Sequence, residues 1–123
     1  MATTSTPFLV SIDIKPSNKS DVNVINLDKD NNINVAIVGG AFDALQVNPD
    51  TIKFGPIGAS PIRNKVQDYN RDGYSDLILT FILSETGIDD CNINSATLTG
   101  QTFTDPVINV AGSDSFTVEP CSP

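Results

Sequence analysis

Residues 68–83 read DYNRDGYSDLILTFIL, and this stretch decides the fold. Its second half, residues 77–83, is apolar at every position except Thr80. Such an unbroken apolar run is typical of a strand that is buried on both faces. Its first half places Asp, Asn and Gly at the short intervals that favour a tight turn. The stretch therefore predicts an acidic loop that leads directly into a central strand.

The remaining sequence consists of short apolar or alternating segments separated by Gly, Pro, Asn and Asp. We predict a hairpin in which segments 22–27 and 33–38 pair across residues 28–32, and a helical turn at 42–47 with Phe42 and Leu45 on one side. Many short strands with so little helix favour an all-β fold, an antiparallel β-sandwich of the Ig-like or jelly-roll-like kind. The strands are predicted at residues 8–14, 22–27, 33–38, 51–54, 77–83, 96–99, 102–103, 108–110 and 116–118.

The composition excludes several classes of partner. The chain has 123 residues, enough for one domain that buries about two-thirds of its unfolded surface. Its net charge of −8 argues against nucleic acid and anionic membrane surfaces, which are bound through Lys and Arg. No apolar stretch approaches the roughly 18 residues of a membrane span. Thirteen of the fifteen acids are Asp, which favours loops, so the acidity is expected in turns.

The loop at 68–76 has the spacing Asp-x-Asn-x-Asp-Gly-x-x-Asp, which is typical of a calcium loop. Calcium takes six to eight oxygen ligands, and alternate positions of a tight loop can supply them. Gly73 permits the sharp bend that keeps such a loop wrapped around the ion. The predicted ligands are side-chain oxygens, together with one backbone carbonyl, that of Tyr74: Asp68, Asn70, Asp72, Tyr74 and Asp76. The alternative is an Asp/Asn-rich turn that binds no ion.

The loop departs from the helix–loop–helix calcium motif at its twelfth position, where Leu79 replaces the usual bidentate Glu. The remaining ligands would come from water, another backbone oxygen or a distant carboxylate. Without the Glu we expect weak binding, with a dissociation constant of about 10⁻⁵–10⁻³ M. Magnesium fits less well because it demands stricter octahedral geometry.

Four other acidic groups are weaker candidates for binding a metal ion. Asp28, Asp30 and Asn32 resemble half of a calcium loop but lack its glycine, so we expect a solvated hairpin turn and leave a second metal site open. Asp89 and Asp90 are expected in a loop, with a missing calcium ligand as the alternative. Asp43 is expected in a helix or turn, and Asp114 in a turn.

Cys91 and Cys121 are the only cysteines, and the chain has no histidine to complete a zinc site. We predict a disulfide between them, against the alternative of two reduced core cysteines. A disulfide indicates an oxidising compartment. The first six residues lack the features of a signal peptide. We therefore expect a mature chain whose export signal has been removed, and a secreted or cell-surface location.

Ten short segments follow one another along the chain: SIDIKP (11–16), INL (25–27), VAIV (35–38), FD (42–43), NPDTIKFG (48–55), GA (58–59), DYNRDGYSDLIL (68–79), TGI (86–88), LTG (98–100) and DS (114–115). In this order they resemble a calcium-loop β-sandwich domain found in secreted and cell-surface multidomain proteins of bacteria and archaea. The resemblance spans residues 8–121 and implies both the calcium loop and cysteines near positions 91 and 121. The sequence departs from the family at Ser17, where Gly is common, and at Asn34, where Pro is common.

The sequence favours a module without catalytic activity. It has no histidine to act as a base, no nucleophile elbow and no phosphate loop. We expect a flexible leader at 1–7 and a single calcium-binding β-sandwich domain at 8–123, serving as a structural module of a surface or secreted protein or assembly. The alternative is calcium-dependent adhesion to carbohydrate or another ligand, disfavoured because Trp is absent and both tyrosines lie in the loop. A second alternative is a self-assembling subunit of an extracellular filament or layer, which would join other copies through residues 3–10.

Overall fold

The computed structural model describes residues 7–16 and 23–121, and the remarks on structure below concern these residues. The chain is an all-β sandwich, as predicted, with 49% of its residues in strands and 6% in helix. Its elements follow in chain order: β1 (Phe8–Leu9), β2 (Ile12–Ile14), β3 (Val24–Asn26), β4 (Asn32–Ile37), a 3₁₀ helix (Ala44–Gln46), β5 (Val47–Phe54), β6 (Arg63–Gln67), β7 (Asp76–Ile82), α1 (Leu83–Thr86), β8 (Ser95–Thr102), β9 (Asn109–Ser115) and β10 (Thr117–Glu119).

Two four-stranded sheets form the layers. The first has the order β2-β4-β7-β6 and is antiparallel throughout. The second has the order β1-β9-β8-β5 and is antiparallel except where β1 pairs in parallel with β9. A parallel pair, β3 with β10, completes the described strands. The chain changes sheet between β1 and β2, so its first strands help to hold the layers together.

The apolar run that follows the acidic loop forms the central strand of the first sheet, as predicted. Six of the seven residues of β7 are buried, because β4 and β6 flank the strand and the second sheet covers it. Phe81 of β7 meets Phe54 of β5 across the two layers, with ring centroids 5.0 Å apart and both side chains fully buried. Burying an aromatic side chain of this kind contributes about 1.5–3 kcal/mol. A buried and closely packed strand thus begins where the acidic loop ends.

The hairpin predicted across residues 28–32 is wrong. β3 pairs with β10, whereas β4 pairs with β2 and β7. Because β4 has a partner on each side, it offers no edge to β3. The chain between them turns back on itself instead, with the amide nitrogens of Lys29 and Asp30 bonded to the Asn26 carbonyl at 3.2 and 2.8 Å.

The segment predicted at 96–99 and the first residue of the segment predicted at 102–103 belong to one strand, β8, which runs through Gly100 without a break and ends at Thr102. Strand β6 was not predicted, because its residues are all exposed and only Val66 is apolar. Asp114 is not a turn acid but part of β9. Its Oδ2 accepts hydrogen bonds from the Ile14 nitrogen and from Asn23 Nδ2, both at 3.0 Å, and so connects β9 with β2 and the start of β3.

Three smaller predictions have clear outcomes. The helical turn at 42–47 is the 3₁₀ helix, with Asp43 as its N-cap: Oδ1 accepts from the Leu45 nitrogen at 3.0 Å. The disulfide between Cys91 and Cys121 is confirmed, with Cα atoms 5.8 Å apart.

No helix in the described part of the chain is both long and apolar enough to cross a membrane.

The two predictions for the N-terminal segment fall partly outside the described residues. Residues 1–6 of the leader expected at 1–7 are among those not described. In the segment expected to join other copies, residues 8–9 pair with the chain's own β9, and the Val10 nitrogen bonds to the Ala111 carbonyl at 2.9 Å. This part of the segment already has a partner within the same chain.

Candidate metal site

The acidic loop connects an edge strand to the central strand of the same sheet. It follows Gln67, the last residue of β6, and ends at Asp76, the first residue of β7. The Asp76 side chain is completely buried, although Asp is seldom buried without a partner. The loop is therefore anchored at its end by a carboxylate inside the protein.

Three carboxylates converge in this loop. One oxygen from each of Asp68, Asp72 and Asp76 lies within 4.8 Å of the other two. Asp76 is buried, Asp68 is half-buried and Asp72 is exposed, so the cluster extends from the interior to the solvent. No other group of three acidic, His or Cys side chains in the described residues is arranged in this way.

Backbone N–H groups hold two of the carboxylates in place. Asp68 accepts hydrogen bonds from the amide nitrogens of Asp72 and Gly73, at 3.2 and 2.9 Å, and Asp72 accepts from the Tyr74 nitrogen at 2.9 Å. The loop closes around Asp68 because Arg71 and Gly73 adopt positive φ angles of 58° and 89°. Gly73 adopts this conformation without the steric cost that a side chain brings.

Asp76 is held by a second segment of the chain as well as by the loop. Its Oδ1 accepts from the Gly39 nitrogen at 2.7 Å, and its Oδ2 accepts from the Tyr69 nitrogen at 3.2 Å. Among the described residues, no Lys or Arg nitrogen lies within 4.0 Å of it. The buried carboxylate is thus solvated by backbone dipoles.

Gly39 is a residue of the site that the sequence analysis did not identify. A Cβ atom built at this position would lie 2.0 Å from the Ser75 carbonyl oxygen, closer than any real contact. The close approach of the two backbones is what allows the Gly39 N–H to reach Asp76. The available signal was the Gly39–Gly40 pair at the end of a strand, since glycine there often marks a close backbone approach.

Tyr69 connects the loop to β2. Its hydroxyl donates a hydrogen bond to Asp13 Oδ2 at 2.8 Å. Burial raises the pKa of the Tyr69 phenol above its usual value, and the hydrogen bond to Asp13 and nearby carboxylates raise it further. The phenol therefore stays protonated and remains a donor. The loop is attached to β7, to β2 and to Gly39, which follows β4.

The donor set suits a hard divalent cation. Every carboxylate oxygen carries two lone pairs, so an oxygen that accepts one N–H can still bind a metal ion. Three carboxylates so close together repel one another, and a divalent cation relieves that repulsion. The arrangement can hold such an ion, and its exposed side leaves room for water as a further ligand.

The structure brings together three of the five predicted ligands, Asp68, Asp72 and Asp76. Asn70 lies in the same loop with an exposed side chain, and it remains a predicted ligand. The Tyr74 carbonyl also remains a prediction; the Tyr74 side chain is exposed.

The other acidic candidates do not join the cluster. Asp90 Oδ1 accepts from the Asn92 nitrogen at 2.8 Å and shapes its own turn. Asp30 Oδ2 accepts from Lys15 Nζ at 3.0 Å and from the Asn26 nitrogen at 2.8 Å. An acid that is already paired with a lysine in a turn fits the expectation of a solvated turn better than a second metal site.

Comparisons of the chain with protein-family models, with curated proteins and with solved structures found no match.

Proposed function

We propose that the protein is a non-catalytic calcium-binding structural module of a secreted or cell-surface protein. The single observation that carries the proposal is the convergence of three carboxylates within 4.8 Å around a fully buried Asp76. The proposed ligands are the side chains of Asp68, Asn70, Asp72 and Asp76 and the backbone carbonyl of Tyr74. Water would complete the coordination on the exposed side.

Calcium is the divalent cation that suits this donor set best. It takes six to eight oxygens in flexible geometry, whereas magnesium requires near-ideal octahedral geometry and prefers to keep its water. Zinc prefers nitrogen and sulfur ligands. The chain has no histidine, and its two cysteines form a disulfide. The donor set therefore favours calcium over both.

A structural role follows from what the loop connects. Asp76, at the start of β7, accepts a hydrogen bond from the Gly39 backbone, and Tyr69 donates one to Asp13 of β2. An ion that binds only the folded state stabilises it by mass action, by about 2.7 kcal/mol when its concentration is a hundred times the dissociation constant. Calcium bound here would stabilise the part of the sheet that contains β2, β4 and β7.

The location is inferred from chemistry. An intrachain disulfide persists in oxidising compartments and is rare in the cytosol. A calcium loop without a bidentate Glu belongs to the weakly binding class, which is filled at the calcium concentrations outside cells. The resemblance to surface domains supports the same location. The absence of histidine from the whole chain supports a non-catalytic role.

The test is calorimetry on metal-stripped protein with and without calcium. We expect wild type to take up calcium and its melting temperature to rise by about 10 °C at a hundredfold excess over the dissociation constant. Asp72→Ala should abolish this rise, because it removes the most accessible carboxylate of the cluster. Asp28→Ala is the matched control: it removes the same charge from an exposed turn and should leave the rise intact.

Magnesium at the same concentration should produce a smaller rise than calcium. If metal-stripped wild type takes up no calcium at millimolar concentration, the proposal is wrong. The same conclusion follows if both Asp variants lose the calcium response equally, because the response would then reflect net charge and not this loop.

A further inference from the structure

A groove crosses the outer face of the first sheet and meets the acidic loop at Tyr69, and none of the three clustered carboxylates lines it. It comprises two adjoining cavities of about 340 and 210 Å³. Both are lined by Asn34 of β4, Ile78 of β7 and Lys65 of β6. The larger cavity continues towards Arg63, and the smaller one towards Gln67 and Tyr69. Together they form one continuous depression across three strands.

The strand register explains which side chains share this face. Lys65 lies opposite Ile78, and Arg63 lies opposite Thr80, which in turn lies opposite Asn34. Because side chains alternate between the faces of a sheet, residues two apart on each strand point the same way. Ile78 and Thr80 are buried and form the floor. Thr80 Oγ1 is hydrogen-bonded to Asn34 Oδ1 at 2.7 Å, which fixes the orientation of the amide.

The charge of the groove is opposite to that of the chain. The protein carries −8 overall with only seven Lys and Arg residues, yet two of these stand side by side on β6 and line the same cavity. Within residues 7–16 and 23–121, no carboxylate lies within 4.0 Å of Arg63 or Lys65. Cations on an edge strand also discourage unwanted strand pairing. That role alone does not require an amide, a hydroxyl and an aromatic ring in the same depression.

The chemistry of the lining selects a ligand class. Arg63 presents a planar fork that matches a carboxylate, and Lys65 adds a second positive charge. The Asn34 amide, the Thr80 hydroxyl and Gln67 can exchange hydrogen bonds with hydroxyl groups. Tyr69 provides an aromatic wall, and its orientation is fixed by the bond to Asp13. A ring that carries both hydroxyls and a carboxylate would use all of these groups.

We propose that this groove binds a uronic acid unit of an acidic polysaccharide, with its carboxylate between Arg63 and Lys65. Densely charged polyanions such as nucleic acids are disfavoured, because a chain of net charge −8 repels them and, in the described part of the chain, two cations line the groove. A polyuronate carries a single carboxylate on each ring, and the local pair of cations matches one of them. The proposal goes beyond the calcium-dependent structural role and does not depend on it.

The test is titration calorimetry of the full chain with trigalacturonate at low salt, and with maltotriose as the neutral counterpart. We expect saturable binding of trigalacturonate that weakens as sodium chloride is added, since surface charges are screened by salt. Maltotriose should not bind. The double variant Arg63→Gln/Lys65→Gln should bind trigalacturonate about tenfold more weakly or worse, because it loses two charged hydrogen bonds.

The double variant Lys29→Gln/Lys53→Gln is the matched control. It makes the same change in net charge at two exposed lysines that do not line the groove, and its affinity should equal that of wild type. Three results would overturn the proposal. They are the absence of trigalacturonate binding by wild type, an equal loss in the control variant, and binding of inorganic phosphate as tight as that of trigalacturonate. The last would show an affinity for small anions in general.

Discussion

Replacement of Gly39 by alanine tests the close approach on which the buried carboxylate depends. The new methyl carbon would lie 2.0 Å from the Ser75 carbonyl oxygen, whereas ordinary contacts begin at 3.4 Å. One of the two backbones must therefore move by about 1.4 Å, the difference between these distances. The atom that is met belongs to the backbone, so rotation of a side chain cannot relieve the clash. A shift of this size separates the Gly39 N–H from Asp76 Oδ1, which are now 2.7 Å apart.

The expected cost follows from two contributions. Loss of a hydrogen bond to a charged group costs about 1.5–3 kcal/mol. Forcing an extra methyl group into a packed position costs about 1–3 kcal/mol. The backbone movement that breaks the hydrogen bond also relieves part of the steric cost of the methyl group. The sum of the two contributions is therefore an overestimate, and we expect the variant to lose about 3–4 kcal/mol of stability. For a chain of 123 residues this corresponds to a fall in melting temperature of about 10–20 °C.

Thermal unfolding in the presence of EDTA measures this cost without any contribution from a bound ion. Gly40→Ala is the matched control, because a Cβ atom at position 40 would meet no heavy atom within 4 Å. That variant should change the stability by less than about 1 kcal/mol. The reasoning is refuted if the two variants melt at the same temperature, because the backbone contact at Ser75 would then carry no energetic weight.

Two further predictions concern the links between distant segments. Reduction of the disulfide, or the double variant Cys91→Ser/Cys121→Ser, should lower the stability by about 3–4 kcal/mol because the bridge closes a loop of 30 residues. Denaturant unfolding with and without reductant measures this loss. Equal unfolding midpoints would contradict the prediction. Asp114→Ala should cost about 2–3 kcal/mol, because it leaves the buried Ile14 N–H without its acceptor and leaves Asn23 Nδ2 bonded only to the Ser115 carbonyl. The neighbouring Ser113→Ala removes only an exposed hydroxyl contact with Thr97 and should cost less than about 1 kcal/mol in the same experiment, and a similar loss in both variants would count against the role assigned to Asp114.

The features that were predictable from the sequence are those encoded locally. Residues 77–83 indicated a central strand because an unbroken apolar run is stable only where both faces are covered. The acidic loop was recognisable because the spacing of Asp68, Asp72 and Asp76 is short and includes a glycine. The disulfide was predictable because the chain offers only one pair of cysteines. The first two features are determined by the sequence near them, and the third by the number of cysteines in the chain.

The features that were missed depend on residues far apart in the chain. Asp114 stands in a Gly-Ser-Asp-Ser segment that is typical of a turn, but its partner Ile14 is 100 residues away. The polar strand β6 is held by its pairing with β7 and has almost no apolar residues of its own. The hairpin at 28–32 failed for the same reason, because the partners that occupy both sides of β4 are set by the whole sheet. Gly39 contributes to the candidate metal site through its N–H bond to Asp76, which lies 37 residues away in the sequence.

The bridge between Cys91 and Cys121 also determines the path of mechanical tension through the domain. A pull applied beyond residue 121 passes directly to residue 91 through the sulfur atoms, and the covalent loop between them is not extended. That loop contains β8, β9 and β10. Under load, therefore, two of the four strands of the second sheet, β8 and β9, are shielded from stretching from the C-terminal side, a useful property for any domain placed within a protein that is pulled.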